Sequence, residues 1–210
     1  RILNNLENVE YKLDSSRQDE GSILIFASMW DEDNKIIFEK FINSPLVNSF
    51  EKVIIVPHEV NDYYLNYYCS ILEDNDFSFK KINQYQNFNK FEEKYIIINK
   101  VGFLSKLYAQ STIAYVGGGF SKSGIHNIIE PAAASNPVIF GSNFMNSNKS
   151  DAEGLIDVSG GFSVDSYELF TEKINWLLDK NNYNNSSKNC KSFVTENSGS
   201  TEKILKELYE

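Results

Sequence analysis

Residues 111–141 read STIAYVGGGFSKSGIHNIIEPAAASNPVIFG, and they concentrate the residue types that could do chemistry. Gly117, Gly118 and Gly119 allow a sharp turn and can bring bare backbone against a ligand. Asn127 has the side chain of a helix N-cap, and Glu130 follows at the spacing of a capping box. Free amides at a helix start attract anions, and a carboxylate there can accept hydrogen bonds from sugar hydroxyls. Pro131 is tolerated because it still lies in the first helical turn, where its missing N–H has no partner to lose. The bland alternative is that the glycines serve only a tight turn and Glu130 only caps its helix.

Two apolar runs flank this string, 112–116 and 138–140, so the unit reads as strand, glycine loop, helix start, strand. Further buried strands are expected over 22–27, 52–56 and 94–99, an alternating one over 76–82, and a short one over 162–164. Helical patterns lie between them, over 31–43, 61–74, 104–110, 151–158 and 166–178, the last with Ser166 as N-cap. The aromatic stripe of the 61–74 helix is expected in core or interface. Residues 83–93 and 142–150 read as surface loops, and 179–188 (DKNNYNNSSK) as a solvated one. A short helix is expected over 1–14, a polar link over 15–20, and a closing helix over 201–209.

Alternation at this spacing implies an α/β, Rossmann-like fold: a parallel sheet with helices on both faces. We divide the chain into 1–20, a linker or entry helix; 21–178, the Rossmann-like domain; and 179–210, a polar loop and C-terminal helix packing back on it or on a missing N-terminal domain. Ligands of such sheets sit at the carboxyl ends of the strands. That rule gathers Ser28, His58, Val101 and the Gly117 loop at one edge, although they are scattered in sequence.

The 210 residues suffice for one domain with a proper core, and 41% of them are apolar. A net charge of −9 argues against nucleic acid as a partner and against broad docking on anionic lipid. No run is apolar and long enough to span a membrane, and no signal peptide is visible. Cys69 and Cys190 are far apart and lack metal spacing, which fits a reducing cytoplasm. No His, Cys or carboxylate cluster has metal spacing, and no nucleophile elbow supports hydrolysis. The start at Arg1 rather than methionine reads as an excised piece.

The string GGGFSKSGIHNIIEPAAASNPVIFG resembles the donor-site signature of bacterial 3-deoxy-D-manno-octulosonic acid (Kdo) transferases, glycosyltransferases of the two-Rossmann-domain GT-B type. The resemblance extends over nearly the whole chain and is to the C-terminal, donor-binding half of that family. It implies a half-enzyme that binds CMP-Kdo, with no cofactor beyond that donor substrate. The reaction implied is transfer of Kdo, with inversion, to a lipid A precursor at the cytoplasmic face of the inner membrane. The general base would come from a glutamate of the absent N-terminal domain, so no catalytic residue is expected here and the isolated chain should be inactive.

Residue by residue, the resemblance implies the following donor contacts. Ala27-Ser28 stands where the family has Gly-Ser; the Ser28 hydroxyl would bond phosphate or sugar, or else cap the following helix. Pro57-His58 matches a strand-end Pro-Arg or Pro-His that meets the CMP part, and His58 can stack or donate a hydrogen bond. Val101-Gly102-Phe103 matches a segment presenting backbone to the cytosine, although the family's acidic residue is missing here. Gly118 and Gly119 approach the donor, and Asn127-Ile128-Ile129-Glu130 matches the Asn-x-x-Glu at ribose and phosphate. Glu130 would take the ribose hydroxyls, and His126 would orient the loop or touch the Kdo carboxylate. In 143–149 only Lys149 is basic. The competing readings are another GT-B sugar-nucleotide transferase or epimerase, and a nucleotide-binding module without chemistry.

Overall fold

The apolar runs become seven strands: β1 (Ile23–Met29), β2 (Lys52–Pro57), β3 (Phe79–Ile82), β4 (Tyr95–Ile98), β5 (Ile113–Val116), β6 (Val138–Gly141) and β7 (Gly161–Val164). The structure is a computed structural model describing residues 21–87, 90–102, 104–145 and 147–198. The expected features at 1–14, 15–20 and 201–209, and Phe103, lie outside the described residues. The strands form one sheet in the order β3-β4-β2-β1-β5-β6-β7, with every neighbouring pair parallel. The Rossmann-like expectation is therefore met.

The central strand shows why these runs were continuous rather than alternating. Leu24 and Phe26 enter the core on one face, while Ile23, Ile25 and Ala27 enter it on the other. The first face is covered by α1 (Asp31–Asp33), a π-helical stretch (Asn34–Phe38), α2 (Glu39–Ile42) and α3 (Asp62–Asp74). The Phe26 ring meets Phe38, Phe41, Tyr115 and Phe170, with centroids 5.2–6.2 Å apart. Burial of such a side chain contributes about 1.5–3 kcal/mol. The second face is covered by α4 (Leu104–Gln110), α5 (Ile129–Ala133) and α6 (Lys149–Asp157).

Asn61 caps α3 by accepting from the Tyr64 amide at 3.1 Å, and within the aromatic stripe Tyr64 and Tyr68 are buried. After α7 (Tyr167–Leu178) the chain departs from expectation. The stretch 179–188 is not a solvated loop: Asp179 caps, and the rest opens, a helix, α8 (Lys180–Asn197). Asp179 starts it by accepting from the amides of Asn181 and Asn182, each at 3.0 Å. Tyr183, Ser186, Cys190 and Val194 are its buried positions and recur at helical spacing. The asparagines and lysines between them occupy the outer face and hide the period.

From β1 the chain moves to β2 on one side, and after β4 it crosses back over β1 to β5 on the other, which makes the β1/β5 gap the switch point of the sheet. The two loops there interlock. The pairing of β1 with β2 slips between Ala27 and Met29, and Ser28 takes a left-handed backbone (φ 56°) that is rare for a non-glycine residue. Its carbonyl then lies where a Cβ on Gly117 would have to be. Gly117→Ala should therefore force β1 and β5 apart at their carboxyl ends and destabilise the fold by about 1–3 kcal/mol. Urea denaturation measures this; an unchanged midpoint would mean that the contact is easily relieved.

Candidate functional site

At this switch point the sequence hides a carboxylate. Asp33, at the end of α1, is fully buried. Its Oδ2 accepts from the Gly118 amide at 2.8 Å and the Trp30 amide at 3.1 Å, while Oδ1 accepts from the Tyr115 hydroxyl at 2.6 Å. Burial raises its pKa, against the lowering effect of these three hydrogen bonds. All three partners donate, so the carboxylate is the form they fit. One side chain thus joins the loop after β1, the strand β5 and the glycine loop.

Over this knot stand three rings. Trp30 stacks on His58 with centroids 3.9 Å apart and an interplanar angle of 22°. His126 completes the group, 4.6 Å from His58. The Trp30 indole Nε1–H donates to His126 Nε2 at 2.7 Å. The backbone fixes each histidine: the His58 amide donates to the Met29 carbonyl, and the His126 amide to the Gly117 carbonyl. Asn148 secures the loop further by donating to the carbonyls of Ile125 and His126, both at 3.0 Å. Burial lowers the pKa of both histidines, with His58 further lowering that of His126. They are neutral donors and acceptors at physiological pH, not fixed cations.

The glycines also hold the site's own backbone together. The Gly118 N–H is committed to Asp33, and its backbone (φ 96°) lies against the Gly124 carbonyl and the His126 ring. Gly119 packs against Gly141. The triplet is thus fitted closely to the protein's own backbone. The exposed Asn127 accepts from the amides of Ile129 at 3.0 Å and Glu130 at 3.3 Å, so it caps α5 as expected. No return bond from Glu130 completes a capping box among the described residues. Glu130 is half-buried, burial raises its pKa, and its carboxylate has no hydrogen-bond or ion-pair partner among the described residues.

The remaining expected residues divide. Ser28 and Pro57 lie at the ends of β1 and β2 beside the rings, Ser28 half-buried and Pro57 buried. Ile128 is a correction: it is fully buried in the core, where its side chain cannot meet a ligand, and Ile129 packs on the same cluster. Val101 and Gly102 are exposed in the turn between β4 and α4, at the same sheet edge. Sequence reasoning passed over Asp33, Trp30 and Tyr115. Asp31, Glu32 and Asp33 look alike as acidic residues in a first helical turn, and only packing singles out the third. Among the described residues no group of three or more His, Cys, Asp or Glu side chains could hold a metal ion, and no helix is long and apolar enough to cross a membrane.

Comparison with known proteins identifies the chain's relatives and its fold. The chain is 29% identical over 199 residues to a 3-deoxy-D-manno-octulosonic acid transferase of Chlamydia trachomatis, covering 93% of this chain and 44% of that protein. It is 27% identical over 194 residues to the enzyme of the same name from Rickettsia bellii, covering 88% of this chain and 43% of the relative. The chain is a relative of the Kdo transferases. It spans less than half the length of these two relatives. A bifunctional glycosyltransferase/methyltransferase of Fusobacterium nucleatum is 31% identical over 146 residues, which cover 69% of this chain and 22% of that protein. In fold, the chain matches the C-terminal CMP-Kdo binding domain of WaaA from Acinetobacter baumannii, with a TM-score of 0.66 at 16% identity, over 93% of this chain and 96% of that domain. No family model matches the chain.

The ring cluster carries a pH dependence. His58 and His126 both have lowered pKa values, so the stability they bring is complete above the ordinary histidine value of 6.5 and is lost as pH falls below it. Asp33 and Glu130 are raised, so their contribution has the opposite sense, present at low pH and lost as pH rises through their folded values. Comparison with His126→Gln isolates the imidazole. The stability advantage of the unaltered chain over this variant should shrink between about pH 7.5 and pH 5.5. Urea melts across that range measure it, and a constant gap would show that His126 does not titrate against the fold.

Proposed function

We propose that this chain is the donor-binding part of a Kdo transferase, and that the edge formed by the loops after β1, β2 and β5 takes CMP-Kdo. The observation that carries this reading is Glu130. This carboxylate is half-buried, is disfavoured as an anion by that burial, and is engaged by no described protein group, so it is open to a ligand's donors. Its place in the Gly-Ile-His-Asn-x-x-Glu-Pro string, in a relative of the Kdo transferases, makes ribose hydroxyls the fitting partner.

In the implied reaction, Kdo leaves CMP for a hydroxyl of a lipid A precursor, and the departing phosphate gains charge. This half of the enzyme holds the nucleotide and offers hydrogen bonds to that charge. Another part of the protein supplies the base that activates the acceptor hydroxyl. In the whole protein the reaction runs at the cytoplasmic face of the inner membrane, where such an acceptor would be presented.

Calorimetric titration of the chain with CMP, UMP and UDP tests the reading. CMP should bind best, and Glu130→Gln should weaken it by about 1.5–3 kcal/mol, tenfold or more, as for hydrogen bonds to a charged group. The 2′-deoxy analogue of CMP should bind the unaltered chain weakly yet be little distinguished from CMP by Glu130→Gln, because the partner it lacks is already gone. If the two losses simply add, Glu130 does not hold the ribose. If a uridine nucleotide binds better than CMP, the donor belongs to another class of GT-B enzyme.

A further inference from the structure

The indole N–H of Trp30 is a donor and cannot accept, so the 2.7 Å contact with His126 requires an unprotonated Nε2. A neutral imidazole with Nε2 free carries its proton on Nδ1. The Cδ2 edge of the ring lies over Gly118, and the opposite edge carries Nδ1, which has no hydrogen-bond partner among the described residues. Trp30 is itself held twice: its amide donates to Asp33, and its ring lies face to face on His58. His126 is anchored by its own amide on Gly117 and by Asn148 on its carbonyl. The orientation of the ring and the identity of its protonated nitrogen are thereby both determined.

We propose that Trp30 is a positioning residue that locks His126 in its Nδ1–H tautomer, so that this single N–H is offered to an anionic oxygen of the bound nucleotide sugar. The ligand in this statement rests on the donor site proposed above; the lock does not. The chemistry recognised is a phosphate or carboxylate oxygen, and a nucleotide sugar of this kind carries both. A neutral imidazole held in one tautomer can donate to an anion without carrying charge itself. It also ties the loop after β1, through Trp30, to a ligand that Trp30 need not touch.

Only two histidines occur in the chain, so long-range proton–nitrogen NMR of the 15N-labelled protein reads both rings directly, with His58→Gln as the assignment control. Above the ordinary histidine range, at about pH 8, His126 should show a protonated Nδ1 and a bare Nε2. Trp30→Phe keeps a ring on His58 but removes the donor, and should shift His126 toward a mixture of tautomers. It should also weaken CMP binding by up to about tenfold. CMP should move the Nδ1 resonance in the unaltered chain. If cytidine leaves it in place, the phosphate is the acceptor; movement by CMP-Kdo alone assigns the sugar carboxylate instead. A protonated Nε2 in the unaltered chain, or an unchanged tautomer in Trp30→Phe, would overturn the lock. If CMP and CMP-Kdo both perturb the Glu130 amide and neither moves Nδ1, its role toward the ligand is overturned. If neither CMP nor CMP-Kdo perturbs any resonance, the donor-site reading fails, and the tautomer measurement still decides what Trp30 does.

Discussion

Asp33 reaches from the end of α1 into the interior and receives hydrogen bonds from Trp30, Tyr115 and Gly118. Burying a carboxylate costs several kcal/mol, and three donors, each contributing about 1.5–3 kcal/mol, are what can offset that cost. The three donors belong to three different segments of the chain. Trp30 opens α1, Tyr115 stands in β5, and Gly118 turns the loop that leads to His126 and α5. The ring stack, the tautomer of His126 and the position of Glu130 all follow from segments that this carboxylate holds in register.

The two histidines of the site offer oriented N–H groups rather than fixed positive charge. The chain is acidic overall, with a net charge of −9, and the two histidines at the site are held neutral. On the reading proposed above, recognition would depend on oriented dipoles and on the Glu130 carboxylate facing hydroxyls, rather than on charge attraction. Such dipoles act best when they need no reorganisation as the ligand's charge changes. The interlocked glycines serve that end, because Gly117 and Gly119 are pressed against the backbone of Ser28 and Gly141 and have little room to shift.

The sheet was legible in the sequence because each strand is buried on both faces and appears as an unbroken apolar run. The edge that gathers Ser28, His58, Val101 and the Gly117 loop followed from topology, and the Asn127 cap from its spacing. What escaped is what depends on contacts between distant segments. Asp33 resembles its acidic neighbours until Tyr115, some eighty residues on in the chain, meets it (82 positions away). Ile128 sits inside a donor-site string yet points into the core, because the turn before α5 rotates it there. Helix α8 was obscured by composition, since only its buried positions at 183, 186, 190 and 194 carry the period.

Native-state hydrogen exchange at the amides of Trp30 and Gly118 tests most directly whether one buried carboxylate holds the site together. Both amides lie outside the regular hydrogen bonding of strand and helix, and sequence position alone would class them as loop amides. They should nevertheless exchange as slowly as the amides of β1 and β5, and together, since releasing either one exposes the same buried charge. Exchange at the pace of an exposed loop amide such as that of Lys122, with β1 and β5 still protected, would contradict the account.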